Sequence, residues 1–169
     1  MSGIIVWFTG LPGAGKTTLA QALSQALGER GCFVQVIDGD DLRRCVSADL
    51  GFSPADRAVQ VERATQAAVA VAQAGAIALV AVIAPARQAR AAARALAAPH
   101  RFLEIYLSTP LAVCRQRDPK GLYAQADAGM LRELTGVDAP YEPPSHPDLV
   151  LDTSQLKLSQ CVARVVSVI

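Results

Sequence analysis

Asparagine is absent from this chain of 169 residues. That excludes the Asn-Lys-x-Asp segment by which a GTPase is expected to read guanine. A charge excess is missing too: 16 basic and 15 acidic side chains leave a net charge of +1 at pH 7. Nucleic acid and anionic membrane surfaces are held by clustered positive charge, so the chain offers no global electrostatic case for either. Any basic site must be local. Cysteine is sparse and scattered, at Cys32, Cys45, Cys114 and Cys161, with no C-x-x-C pair. This spacing fits neither a zinc site nor a disulfide framework, and predicts buried free thiols in a reducing compartment. No basic segment or cleavage site precedes the first apolar run, so no signal peptide is expected and the cytoplasm is the expected location. Residues 64–84 form the one stretch long enough to raise a membrane span, but Gln66, Gln73 and Gly75 interrupt it. A spanning helix needs ~20 predominantly apolar residues, and alanine contributes weakly. A helix ending near Gly75, followed by a buried strand, accounts for the stretch better.

Just over half of the residues are apolar, 51%, and 18% are charged. This composition belongs to a globular chain, and the length suits one domain with a sizeable core. The pattern alternates. Buried strands are predicted over 4–9, an apolar run with β-branched residues, and over 33–37, 76–83 and 102–107, with a short fifth strand over 149–151. Helices are predicted over 17–30, 54–74, 87–97, 110–117 and 155–168. Leu19, Leu23 and Leu27 mark the apolar face of the first. Ser53 and Pro54 are placed to cap and start the second. Strands alternating with helices predict an α/β three-layer domain with a five-stranded parallel sheet and helices on both faces. The stretch 118–148 stands apart, with five prolines and three glycines. Irregular segments of that length inside compact domains are often active-site lids.

The sequence Gly10-Leu11-Pro12-Gly13-Ala14-Gly15-Lys16-Thr17, followed by Thr18, matches G-x-x-x-x-G-K-[ST] in full. The chemistry needs these residue types. Glycines let successive backbone N–H groups turn toward phosphate oxygens. The helix beginning near Lys16 adds its positive end. Lys16 supplies a mobile charge for the β- and γ-phosphates, and the Thr17 hydroxyl can ligate Mg²⁺. A strand precedes the loop and a helix follows, as a P-loop NTPase domain requires. Together they predict a phosphotransferase that binds Mg·ATP. Directly after the second strand comes Asp38-Gly39-Asp40-Asp41. Ligands of open α/β sheets lie beyond the carboxyl ends of the strands. Carboxylates there can hold Mg²⁺ or take a proton from an attacking hydroxyl, and acids at a helix N-terminus can equally serve the helix dipole.

Further blocks are more specific. They are Asp38-Gly-Asp40-Asp-Leu-Arg43, Asp49-Leu-Gly-Phe52-Ser53, Asp56-Arg57, Arg117-Asp-Pro-Lys120-Gly-Leu-Tyr123, Thr135-Gly-Val-Asp138, Pro140-Tyr-Glu-Pro143 and Asp148-Leu-Val-Leu-Asp152-Thr153. In this order, and with the opening Val6-Trp-Phe-Thr-Gly-Leu-Pro-Gly13, the chain resembles the adenylylsulfate kinase (APS kinase) family over nearly its whole length. The resemblance implies that ATP phosphorylates the 3′-hydroxyl of adenosine 5′-phosphosulfate, giving PAPS and ADP. It implies that Asp40 activates that hydroxyl or organises Mg²⁺, supported by Asp38. Arg43 and Arg57 would clamp the phosphosulfate, and Phe52 would stack on the acceptor adenine. Lys120 would reach the nucleotides as the lid closes, and Arg115 and Arg117 would lie near the ATP base or phosphates. The family also suggests homodimers and a functional link to an ATP sulfurylase.

The chain departs from the family pattern at several positions. A serine between Ile83 and Pro85 is Ala84 here, which rules out a phosphorylated intermediate on that side chain, and the following aromatic is Ala86. The usual asparagine after Asp56-Arg57 is Gln60, and an arginine is Glu62. A Gly-Leu-Asn run is Cys45-Val-Ser47, a basic lid residue is Asp127, and a phenylalanine is Leu134. Most of these lie on the acceptor side. The acceptor wall is therefore expected from Gln60, Ile83, Ala84 and Leu134 beside the residues already named. Two alternatives stay open: a kinase of another nucleotide, such as a cytidine diphosphate derivative, and an ATP-binding regulatory partner.

Overall fold

The structure is a computed structural model that describes residues 3–169. Five parallel strands run in the order β2-β3-β1-β4-β5. They are β1 (Ile4–Gly10), β2 (Val34–Asp38), β3 (Ile77–Ala81), β4 (Arg101–Leu107) and β5 (Leu149–Leu151). The central strand β1 is buried on both faces, and its alternate residues divide between two apolar layers. Val6 and Phe8 pack with Leu19 and Leu23 of α1 (Lys16–Gly28) and with Val165 of α7 (Leu158–Val166). Ile5 and Trp7 pack with Val61, Ala64 and Ala68 of α3 (Pro54–Gln73) and with Ala93 of α4 (Arg87–Leu96). Trp7 stacks on Phe102 of β4, with ring centroids 5.6 Å apart. Burying each of these large side chains contributes about 1.5–3 kcal/mol.

The alternating pattern thus gives the expected three layers. Ser53 caps α3, its hydroxyl accepting from the Asp56 amide at 3.1 Å, with Pro54 in the first turn. Two short helices go beyond the sequence pattern. Residues 39–45 form α2 (Gly39–Cys45), which buries no side chain and so shows no apolar period. The Asp38 carboxylate caps it, accepting from the Asp40 amide at 2.9 Å. After α5 (Leu111–Arg117), α6 (Leu122–Asp127) lies within the segment read as irregular. Asp118 holds its first amides, accepting from Tyr123 and Ala124 at 3.1 and 3.0 Å. The last helix starts at Leu158 rather than 155, because Asp152 draws residues 154–156 into a turn.

The cysteine expectation holds for half of the set. Cys114 and Cys161 are buried, whereas Cys32 and Cys45 are exposed. Cys32 follows the end of α1 and Cys45 ends α2, places where the chain has left the core. Among the described residues no helix is long and apolar enough to cross a membrane.

Candidate active site

The loop between β1 and α1 opens at the carboxyl edge of the sheet, into a cleft of about 1220 Å³. One small ligand typically occupies ~300–1,000 Å³, so the space suits two ligands or one long one. Pro12, Gly13, Gly15, Lys16, Thr17 and Thr18 line its floor. Gly10 and Ala14 are buried beneath it, and the half-buried Leu11 packs against the core. Gly13 has φ +80°, and a Cβ on it would lie 2.9 Å from the Cys114 carbonyl oxygen. Only glycine fits a left-handed turn pressed that closely on α5.

Lys16 is nearly buried, at 9% exposure, and its ammonium donates to the Gly10 and Leu11 carbonyls at 2.8 Å each. Burial pulls its pKa down to about 8, and the neighbouring Lys120 acts in the same direction. The Thr17 hydroxyl donates to Asp38 Oδ2 at 2.6 Å. A hydroxyl and a carboxylate thus converge at the end of the phosphate loop. Among the described residues no group of three or more His, Cys, Asp or Glu side chains could hold a metal alone. Two protein oxygens with space beside them suit Mg²⁺, which keeps several waters and is shared with substrate phosphates.

Across the cleft stand α2, the loop after it and the start of α3. Asp40 projects from α2 and forms an ion pair with Lys120, which reaches over from the segment after α5. Arg43 donates to the Gly51 carbonyl at 2.9 Å, and its guanidinium lies 4.3 Å from the centre of the Phe52 ring. Arg57 donates to the Phe52 carbonyl at 2.9 Å and to the Glu133 carbonyl, and sits 5.7 Å from the same ring. Neither arginine forms an ion pair among the described residues. Burial lowers both pKa values, and the Arg43 charge lowers that of Arg57 further. Positive charge held without a direct carboxylate partner is a receptor for an anion. Phe52 is 47% exposed, which leaves part of its ring open to a stacked partner beside the two guanidinium groups.

The remaining wall comes from Gln60, Ile83, Ala84, Pro85 and Leu134. Gln60 donates to the Gly39 carbonyl at 3.1 Å, while its Oε1 is buried without a partner. Leu134 is 6% exposed and packs into the core cluster that contains Ala14 and Leu107. Apart from Gly10, Leu11 and Ala14 beneath its floor, the expected site residues surround one cleft, with one exception. Arg115 does not line it. Its guanidinium holds both carboxylate oxygens of Asp127 at 2.6 and 2.7 Å and lies 5.6 Å over the Tyr123 ring. Asp127 is the partner that holds it. Arg117 does line the cleft, donating to Thr153 Oγ1 and to the Thr153 carbonyl at 2.8 Å each.

Sequence reasoning assigned no role to Thr153 or Tyr123, although both stand in the quoted blocks. Thr153 Oγ1 donates to the Ala14 carbonyl at 2.8 Å, and the buried Tyr123 hydroxyl donates to the Pro12 carbonyl at 2.7 Å. Both brace the phosphate loop from behind. Their signal was position within a block, because neither type announces a role by itself.

Comparison with known proteins gives consistent results. The adenylylsulphate kinase family model matches residues 2–152. An adenylyl-sulfate kinase of Geotalea uraniireducens is 45% identical over 163 residues, covering 96% of this chain and 78% of the relative. One of Prochlorococcus marinus is 46% identical over 164 residues, covering 97% and 82%. The solved Mycobacterium tuberculosis APS kinase, in complex with AMPPNP and APS, superposes with a TM-score of 0.96 at 42% identity, covering 98% of this chain and 96% of that one.

Proposed function

The chain belongs to the adenylylsulphate kinase family, and from that premise we propose that it transfers the γ-phosphate of ATP to the 3′-hydroxyl of adenosine 5′-phosphosulfate. The products are PAPS and ADP. The observation that carries the reading is the pairing of two unlike walls on one cleft. A complete phosphate loop faces two arginines without carboxylate partners, both next to the half-exposed ring of Phe52. That second wall fits a ligand with a localised anion next to a flat base.

The residues take these roles. The loop amides from Gly13 to Thr18, with Lys16, hold the β- and γ-phosphates. Lys16 leaves the Gly10 and Leu11 carbonyls and turns its ammonium to the phosphate oxygens. Thr17 and Asp38 would hold Mg²⁺, which neutralises phosphate charge as it moves to the acceptor. Arg117, beside the loop, stands by the ATP moiety. Arg43 and Arg57 hold the phosphosulfate, Phe52 stacks on its adenine, and Gln60, Ile83, Ala84 and Leu134 close the wall. These contacts place the 3′-hydroxyl at Asp40, which accepts its proton. Substrate binding frees Asp40 from Lys120, whose ammonium then turns to the nucleotides. The segment 118–148 closes as a lid and excludes water, so that phosphate passes to the hydroxyl and not to solvent. Ala84 carries no hydroxyl, so transfer is direct. The same reading places the enzyme in the cytoplasm, as a homodimer that works alongside an ATP sulfurylase.

The test is ADP release with Mg·ATP and each of APS, adenosine 5′-phosphate, cytidine diphosphate and no acceptor. Turnover with APS alone, giving a 3′-phosphorylated product, supports the reading. Turnover with another acceptor and none with APS overturns it.

A further inference from the structure

The acceptor wall contains a strained turn with an unusual support. Ala84 is buried and has φ +45°, a left-handed conformation that an L-residue keeps only when its surroundings impose it. Two consecutive carbonyls of this turn are pinned from beneath. The Thr9 hydroxyl donates to the Ile83 carbonyl at 2.6 Å and also contacts the Tyr141 hydroxyl at 2.9 Å. The Ala84 carbonyl accepts from Arg90.

Arg90 is 3% exposed, and all three of its nitrogens are engaged. Nη1 holds Ala84, Nη2 holds the Glu142 carbonyl where segment 118–148 returns to the sheet, and Nε meets Glu104 of β4 at 2.9 Å. Glu104 is itself largely buried, so the charge is balanced within the protein. The guanidinium also lies 5.6 Å over the Tyr141 ring. Two further bonds tie the same two segments together. The Glu142 amide donates to the Pro85 carbonyl at 2.9 Å, and the Arg87 amide donates to the Glu142 carboxylate at 2.7 Å.

We infer that Arg90 is a positioning residue for the acceptor nucleotide: it locks the Ile83–Pro85 wall and the returning end of the lid segment to strand β4 without touching substrate. The planar fork is what makes this possible. Three acceptors on three separate segments converge on one rigid group, and a lysine ammonium cannot span them. ATP, by contrast, rests on the phosphate loop, to which Arg90 makes no hydrogen bond. The inference rests on the acceptor reading given above.

The experiment compares wild type, Arg90→Lys and Arg94→Lys. Arg94 is the control, since it also pairs with Glu104 yet bonds only Phe102 and Asp148 besides. Wild type is first shown to turn over APS; failure there is failure of the acceptor reading, visible before any variant is compared. In Arg90→Lys the KM for APS should rise by about tenfold or more, with the KM for ATP within about twofold and kcat changed less than KM. Arg94→Lys should leave both KM values near wild type. Hydrogen exchange supplies a second readout that needs no substrate: in Arg90→Lys the Arg87 and Glu142 amides should exchange about tenfold faster, with α1 amides unchanged. If Arg90→Lys raises both KM values alike, leaves the APS KM unchanged, or leaves those two amides protected, the positioning role is wrong. If Arg90→Lys does not fold, Arg90→Gln takes its place in the same measurements.

Discussion

Nucleotide binding should draw a proton into the protein near pH 8. Lys16 is buried and held only by two neutral carbonyls, and its pKa sits at about 8. Phosphate oxygens favour the ammonium form, so the bound pKa lies above the free one. The affinity contribution of Lys16 is then complete below the free pKa. It is lost as pH rises from there toward the bound value. With a free pKa of about 8, the fraction protonated is about 0.9 at pH 7, 0.5 at pH 8 and 0.1 at pH 9. If the bound ammonium keeps its proton throughout, uptake per nucleotide is about 0.1, 0.5 and 0.9 proton at these three values. Affinity falls about tenfold between pH 7 and pH 9, equal to about 1.4 kcal/mol. Terminal phosphates have their last pKa near ~6, so they contribute little over this range. The assay is titration calorimetry with Mg·ADP, whose terminal phosphate is an ordinary one, in two buffers of different ionisation enthalpy at each pH. Uptake that stays near zero from pH 7 to 9, with constant affinity, would refute the reasoning and mean that Lys16 is already fully charged in the free loop.

Three other outcomes follow from the same geometry. Asp40→Ala should lower kcat by about 10²–10⁴-fold, the usual range for a general base, while AMPPNP binding by calorimetry stays within a few-fold; normal turnover would remove Asp40 from the chemistry. Phe52→Ala should raise the KM for APS by roughly 10–100-fold, from a stacking loss of about 1–3 kcal/mol, and leave the KM for ATP unchanged. Arg115→Ala should change the KM for ATP by less than about twofold, because Arg115 faces Asp127 and an exposed pair contributes little; a large rise in steady-state KM would return Arg115 to the ATP site.

The core was legible because periodicity reports burial. β1 reads as a continuous apolar run, as a strand covered on both faces does, β4 as an apolar run broken by Glu104, and α1 and α3 through their spacing, capping and turn residues. The elements that eluded the pattern, α2 and α6, are short and are started by side-chain caps from Asp38 and Asp118. Nothing in a helix of seven residues with no buried side chain can betray its period. The phosphate loop was legible for a different reason: its geometry is built into residue type, since glycines at the tight turns and one lysine are the chemistry itself. The acceptor wall was legible only through resemblance. Arg43, Arg57 and Phe52 are common surface or core types, and only the fold sets both guanidinium groups against one ring. Arg115 shows the limit of that route. The resemblance set it near ATP, whereas its guanidinium pairs with Asp127 outside the cleft lining.

The substrate-free cleft is not a set of waiting charges. Lys16 rests on Gly10 and Leu11, Thr17 on Asp38, Asp40 on Lys120, and Arg43 on Gly51. Each substrate contact must therefore replace a contact within the protein, and affinity comes from the difference between the two. The exchanges differ in kind. Lys16 gives up neutral carbonyls for phosphate, a clear electrostatic gain for a poorly solvated ammonium. Asp40 would give up an exposed ion pair for a neutral hydroxyl, a small loss because such pairs contribute little in solvent. In the proposed mechanism this exposed pair yields readily, and the exchange at the buried Lys16 carries the larger electrostatic change.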